Sequence, residues 1–244
     1  MGELIAVLSG KGGTGKTSVC AGLVTSLAKE GHQVLCIDCD VGLRNLDISL
    51  GVTQLSALSF LDICEGNYGL DQALQHPDFP TLFFLTAPVS EGPEAVNPDL
   101  FGRMLRQARQ TYDYVFLDAP AGIDAGFRLA ARFADRVLLV TGSDPASIRD
   151  AARAGELLEL MGKQDVRLIV NRINKKLVRS MAITVDDIMD TTGLPLIGIV
   201  PEDGNVILSA ALQKPLVLHT TRGAAAACRR IARRICGYSV PITL

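Results

Sequence analysis

Much of what would place this chain in a specialised class is missing from it. No apolar stretch reaches the roughly 18 residues needed to cross a bilayer. The opening, MGELIAVLSG, has no basic start and too short an apolar run for a secretory signal. The formal net charge is only −2, so overall charge selects no nucleic acid, although local patches remain possible. No internal repeat and no linker rich in proline, glycine and serine interrupts the 244 residues, so one domain spanning 1–244 is expected.

The residues of metal and redox chemistry are thinly spread. His32, His76 and His219 are scattered and compose no metal set. The cysteines are Cys20, Cys36, Cys39, Cys64, Cys228 and Cys236. In a chain of this size without a signal sequence they imply reduced thiols and a cytoplasmic compartment. Cys36 and Cys39 form C-x-x-C, but they end an apolar run instead of opening a helix, where a redox pair sits. Residues three apart on a strand point to opposite faces, so they read as core or switch-adjacent thiols.

What is present alternates regularly. Apolar runs occur at Leu4–Leu8, Val34–Asp38, Leu82–Thr86, Tyr114–Asp118, Arg136–Thr141, Arg167–Asn171 and Leu196–Val200. Most are continuous, as strands buried on both faces of a parallel sheet are. Helix-length segments separate them at Thr17–Glu30, Pro98–Gln110, Pro145–Met161, Ala182–Thr192, Asn205–Leu212 and about Arg222 to Cys236. The stretch Ala87–Pro98 reads as a loop. Strand and helix in alternation along the whole chain predict an α/β fold, a doubly wound, mostly parallel sheet with helices on both faces.

The densest signal is SGKGGTGKTS, Ser9 to Ser18, between the first strand and the first helix. Gly10, Gly15, Lys16 and Thr17 match the phosphate-loop pattern G-x-x-x-x-G-K-S/T. Glycines let backbone N–H groups turn inward around phosphate oxygens, and the helix terminus adds partial positive charge. The loop from Gly10 through Gly12, Gly13, Thr14 and Gly15 to Ser18 is therefore expected to bind nucleotide phosphate. Lys16 should reach the β- and γ-phosphates, and the Thr17 hydroxyl should hold Mg²⁺. The pattern leaves Lys11 unexplained, since it comes too early in the turn to do what Lys16 does.

Carboxylates end the second and fourth runs. DCDVGLRNLD carries Asp38 and Asp40, and YDYVFLDAPAGID carries Asp118 and Gly122. A carboxylate just beyond a parallel strand lies at the ligand edge of such a sheet. Asp40 there can orient a water near a γ-phosphate, or it can simply cap a turn. Asp118 fits a magnesium-shell aspartate, and Gly122 follows it in a loop able to present an N–H to the γ-phosphate. Asn171, Pro201 and Asp203 end two later strands on the same edge. An asparagine amide suits an adenine edge, but residues of this kind also cap helices. The guanine-reading Asn-Lys-x-Asp is absent, Asn171-Arg172-Ile173-Asn174 standing instead, which favours ATP over GTP.

KGGTGKT resembles the deviant Walker A motif of the MinD/ParA family of ATPases. The aspartate stretch and DAPAGI resemble that family's two switch loops, LRNLD and FLDICEG lean toward MinD, and the resemblance covers nearly the whole chain. It implies that Lys11 reaches across a two-fold homodimer to the partner's nucleotide, so that association depends on ATP. It implies that Asp40 positions the hydrolytic water, that Asp38 supports the magnesium shell with Thr17 and Asp118, and that Asn171, Pro201 and Asp203 contact the base. The role it implies is a slow, partner-stimulated Mg²⁺-dependent ATPase placing the division site, with MinC- and MinE-like partners. Asn45 and Asp47 then fall on the surface those partners use. Cluster-carrying relatives have cysteine at the second switch or as a close C-terminal pair, and this chain has neither.

The last helix carries Arg229, Arg230, Arg233 and Arg234 opposite an apolar stripe. Such a helix packs on a sheet, lies on an anionic membrane or grips DNA phosphates. No further basic and apolar segment follows in GYSVPITL, so the membrane-targeting helix of MinD proteins is not evident. The alternatives that the resemblance leaves open are a DNA-partitioning ATPase of the ParA type and a cargo- or cluster-loading ATPase of the same fold.

Overall fold

The computed structural model describes residues 1–41, 44–88, 92, 95–174 and 183–243. Ala182, Leu43 and much of the expected loop at 87–98 lie outside the described residues.

The described strands are β1 (Glu3–Leu8), β2 (Val34–Asp38), β3 (Leu74–His76), β4 (Phe79–Leu85), β5 (Tyr114–Asp118), β6 (Arg136–Thr141), β7 (Asp165–Ile173) and β8 (Leu196–Pro201). They form one sheet in the order β3-β4-β2-β5-β1-β6-β7-β8. Every pairing is parallel except that of β3, which runs antiparallel to β4 at one edge. The continuous apolar runs have the cause expected of them. On β1, Ile5 and Val7 enter one core while Leu4, Ala6 and Leu8 enter the other, so every side chain from Leu4 onward is buried.

On one face lie α1 (Lys16–Lys29), α2 (Leu46–Leu50), α9 (Leu216–His219) and α10 (Gly223–Ile235). On the other lie α3 (Phe60–Cys64), α4 (Pro98–Thr111), α5 (Ala125–Phe133) and α6 (Pro145–Leu160). Helix α7 (Val185–Thr192) packs against α6 around a third apolar cluster that includes Ile148, Leu168 and Ile188, and α8 (Gly204–Ala211) follows β8. Helices on both faces of a parallel sheet make this the doubly wound architecture that the alternation predicted.

The long elements fall within a few residues of their expected limits. The differences lie in short pieces and in strand ends. β4 starts at Phe79, and β7 runs from Asp165 to Ile173, two residues past the expected limit at each end. Helix α5, nine residues long, was not anticipated, and neither were the shorter elements α2, α3, α9 and β3 and a 3₁₀ turn at Leu70–Gln72. The shorter elements span three to five residues each, less than two helical turns, so no apolar period can establish itself.

The arginine-rich helix also has a definite resting place. Its stripe of Cys228, Ile231, Ala232 and Ile235 is buried against α1 and β8. A β-carbon on Gly22 of α1 would lie 2.6 Å from the Cys228 sulphur, so glycine is what lets the two helices close. The arginines expected to meet a membrane or DNA are bonded within the chain. Arg234 donates to the carbonyls of Ile197 and Val240, each at 2.8 Å. Arg230 donates to Thr243, Arg229 to Thr221, and Arg233 pairs with Glu30 at 2.7 Å. The residues after the helix are thereby clamped along it.

Candidate functional site

The phosphate loop leaves β1 at the carboxyl edge of the sheet and enters α1. Its shape depends on glycine at two kinds of position. Gly13 and Gly15 adopt φ values of +80° and +82°, which residues with a β-carbon rarely enter. A β-carbon on Gly10 would stand 2.3 Å from the Asp150 carbonyl oxygen, and one on Gly15 would stand 2.4 Å from the Asn171 amide nitrogen. The Gly15 N-cap offers no side chain, and the first turn of α1 holds no acidic residue. The first-turn N–H groups of α1 thus have no side-chain partner beside a cavity of about 390 Å³. Lys11, Gly12, Gly13, Thr14, Lys16, Thr17, Ser18 and Asp40 are among its lining residues. Unspent donors, two lysines and no competing carboxylate in the helix turn suit a polyphosphate.

Lys16 is buried, and its Nζ lies 2.6 Å from Oδ1 of the equally buried Asp118 and 3.4 Å from the Thr17 hydroxyl. Burial opposes the lysine's charge, but the adjacent Asp118 carboxylate overrides it and holds the pKa above its ordinary value. β2 and β5 pair so that Asp38 stands opposite Asp118 in register. Two carboxylates delivered side by side at the strand ends, with Thr17 close by, are the hard oxygen donors that Mg²⁺ prefers. Burial first, and then the charge of Asp118, push the Asp38 carboxyl up to about 6. A divalent cation there would relieve that repulsion.

Asp38 has a second task. Its Oδ1 accepts the Asp40 N–H at 2.9 Å, and its Oδ2 accepts the N–H groups of Asn45 and Leu46, each at 3.2 Å. It therefore pins both ends of the loop that carries Asp40 and starts α2. Asp40 lines the phosphate cavity, and its pKa is raised chiefly by burial, with Lys16 pulling the other way. The Gly122 N–H, expected against a γ-phosphate, donates instead to the Ser9 carbonyl at 3.1 Å.

A second cavity of about 430 Å³ lies between α1 and the ends of β7 and β8, where the base contacts were expected. Asn171, Arg172, Pro201, Asp203 and Ile207 are among its walls, and it shares Gly15, Ser18 and Arg172 with the phosphate cavity. One end is rich in unspent donors and the other is largely apolar, which is the division a nucleotide presents. Two expected base contacts have partners of their own. Asn171 donates to the Thr14 carbonyl at 2.7 Å and so ties β7 to the loop. Asp203 caps α8 through the Asn205 N–H at 2.9 Å and accepts the Ala224 N–H of α10 at 2.9 Å. Its carboxylate is thus spent on two helix starts, and only its position puts it at the cavity.

Two residues that the sequence reading passed over also belong here. Arg172, at φ +56°, donates to the Gly13 carbonyl at 2.8 Å and closes the loop from above. Asp144 meets Lys11, the Nζ lying 3.2 Å from its Oδ1. Asp144 is the N-cap of α6 and also accepts the Ser147 N–H at 3.0 Å. Partial burial works against its charge, but the Ser147 bonds and then Lys11 bring its carboxyl down to about 2. The signal was available, because Asp144-Pro145 with Ser147 two residues later is an N-cap followed by proline at the first helical position. So Lys11 stands at the rim of its own phosphate cavity, half-exposed, held by the start of a neighbouring helix.

Comparison with known proteins agrees with this geometry. Residues 5–216 match the family model of the CobQ/CobB/MinD/ParA nucleotide binding domain. The septum site-determining protein MinD of Synechocystis is 38% identical over 244 aligned residues, covering 99% of this chain and 92% of that protein. The chain of the MinC:MinD cell division protein complex of Aquifex aeolicus that matches superposes with a TM-score of 0.91 at 36% identity, covering 99% of this chain and 98% of that one. MinD of Pyrococcus horikoshii, solved with Mg-ADP, superposes at 0.84 with 27% identity, covering 96% of each chain. By its fold, its phosphate loop and its likeness over almost its whole length, the chain belongs to the MinD/ParA family of nucleotide-binding proteins and stands among the MinD members of it.

Proposed function

We propose that the chain is a Mg²⁺-dependent ATPase of the MinD type, a switch that two copies close when ATP is bound, acting in placement of the division site. The observation that carries this is the pair of lysines at one phosphate cavity. Lys16 is buried within the site, while Lys11 waits at its rim on Asp144. A cation parked at the rim can serve a second copy's nucleotide without being lost from its own.

The residues divide the work as follows. The loop from Gly10 to Ser18 supplies N–H donors to the phosphates. Lys16 exchanges Asp118 for the β- and γ-phosphates, and the exchange frees the Asp118 carboxylate. Thr17, Asp118 and Asp38 would then hold Mg²⁺, which would supply positive charge against the charge developing on the phosphates. Asp40 orients a water in line with the γ-phosphate, and Gly122 turns its N–H from Ser9 to that phosphate. Asn171 and Pro201 frame the base, with Asp203 holding the two helices behind it.

Closure of two copies face to face also has an apolar basis. Ile48 at the phosphate cavity and Ile207 at the base cavity are 41% and 75% exposed, and Leu208 and Leu212 stand open beside Ile207. A facing copy would bury these side chains and release ordered water. A relative assembles with MinC, and we assign this chain a MinC-like partner that reads the closed dimer. A MinE-like activator and peripheral attachment to the inner face of the membrane complete the proposed cycle. Among the described residues no helix is long and apolar enough to cross a membrane.

Sedimentation velocity tests the switch. The chain should run as a monomer with MgADP and as a dimer with MgATP. Asp144→Asn keeps the N-cap but removes the charge that holds Lys11. An exposed pair is worth about 0–1 kcal/mol and a two-fold dimer breaks two of them, so this variant should dimerise at a protein concentration up to about 30-fold lower. A monomer with both nucleotides would refute the proposal.

A further inference from the structure

Two helices away from the arginine-rich terminus carry guanidinium groups that no carboxylate among the described residues answers. α5 carries Arg128 and Arg132 and contains no acidic residue. α4 carries Arg103, Arg106 and Arg109, with Asp99 in its first turn. Arg109 is occupied by Asp135 at 3.0 Å. Among the described residues Arg103, Arg106, Arg128 and Arg132 make no ion pair, and all four are exposed. α6 differs, because Arg149 and Arg153 share it with Asp150, Glu156 and Glu159. In a chain of net charge −2, four guanidinium groups without an ion pair on two adjacent helices make a local positive field.

The same two helices wall an apolar recess of about 360 Å³ that belongs to neither nucleotide cavity. Phe101 of α4, Phe127 and Ala130 of α5, Phe60 of α3, Pro120 and Val41 are among its lining. Its size falls within the usual range of ligand pockets, about 300–1,000 Å³. Arg132 is tied to this wall, its guanidinium lying 5.4 Å from the Phe133 ring centre, and that ring meets Phe101 edge-on at 5.8 Å. The one charged side chain among the lining residues is Asp124, and the two helices beside the recess carry arginines without ion pairs on their exposed faces. An apolar recess flanked by such charge has the anatomy of a protein-binding surface.

We infer that the groove between α4 and α5 is a docking site for an acidic amphipathic polypeptide segment, whose apolar side chains enter the recess while its carboxylates meet Arg103, Arg106, Arg128 and Arg132. The chemistry selects this occupant over the other polyanions. A nucleic-acid backbone would satisfy the arginines but has nothing to place in a pocket of phenylalanine, proline and alanine. A bilayer needs apolar side chains that project, and among the described residues α4 and α5 have no exposed large apolar side chain. Arginine, and not lysine, at all four positions suits forked pairing with carboxylates. A segment seated here touches Val41, next to Asp40, and Pro120, two residues before Gly122, so it lies against both loops that the nucleotide site uses.

The test is fluorescence anisotropy on the ADP-bound chain with four probes. They are a labelled Glu/Leu peptide with leucine at i, i+3, i+4 and i+7, the same pattern with Lys for Glu, a DNA duplex of arbitrary sequence, and phosphatidylglycerol vesicles. The acidic peptide should bind and the other three should not. Arg128→Glu with Arg132→Glu should weaken it at least about tenfold. Ala125→Leu, which fills the recess from an exposed helix position, should weaken it by a similar factor with ADP affinity unchanged. The inference is overturned if the acidic peptide fails to bind, if either variant leaves its affinity intact, or if the lysine peptide binds as well. Arginine-dependent capture of the duplex or the vesicles without the acidic peptide would also overturn it. None of these readouts depends on ATP-driven dimerisation, so the two proposals fail separately.

Discussion

Replacing Lys16 with methionine should abolish useful ATP hydrolysis and also weaken the fold. The first effect follows from the loss of the one buried cation that the described residues place at the phosphate cavity. Removing one preorganised electrostatic contact from a reacting group costs about 100- to 1,000-fold in rate. The second follows from the partner left behind. Asp118 is 1% exposed and faces Lys16 at 2.6 Å, so the variant buries an uncompensated carboxylate. Breaking one side of such a pair costs about 3–5 kcal/mol, whereas replacing both by apolar residues is often neutral. Lys16→Met with Asp118→Leu should therefore recover most of the lost stability in urea titrations while remaining inactive. Equal stability of the single variant and the wild type would mean that the ion pair does not exist in solution.

Lys11→Ala should give the opposite profile. Lys11 is partly exposed, and its pair with Asp144 is a surface contact at 3.2 Å, so stability should change by less than about 1 kcal/mol. MgADP affinity should change little, because Lys16 and the loop amides remain. Dimerisation with MgATP should weaken about 30-fold or more, the usual cost of truncating a charge desolvated at an interface. An alanine variant that dimerises as well as the wild type, measured by sedimentation, would remove Lys11 from the closed state. The two lysines sit five positions apart by way of Gly12, Gly13, Thr14 and Gly15, and the contrast between their variants separates the buried role from the shared one.

The parts of this molecule that were legible in its sequence are those governed by local pattern. Continuous apolar runs such as Tyr114–Asp118 can be strands only if both faces are covered, so the layered sheet followed. The loop from Gly10 to Thr17 was legible because its glycines answer to steric demands visible in the spacing. Contacts that join distant segments were not legible. Nothing near Asp203 says that its carboxylate holds the Ala224 N–H, and nothing near Asn171 says that its amide holds Thr14. The arginines of α10 look like an open basic face because helical spacing exposes them. Their actual partners are carbonyls of β8 and of the residues before and after the helix, and the Glu30 carboxylate, none of which a helical wheel contains. The free arginines of α4 and α5 were overlooked for the converse reason. Each helix alone reads as an ordinary polar face, and only their side-by-side packing accumulates the charge.

The account rests on a nucleoside triphosphate held where β1 enters α1. Calorimetric titration of MgATP into the purified chain tests this most directly. The account predicts saturable heat with one site per chain, lost in Lys16→Met with Asp118→Leu and retained in Lys11→Ala. No heat from the wild type, or heat undiminished by the Lys16 and Asp118 replacements, would contradict it.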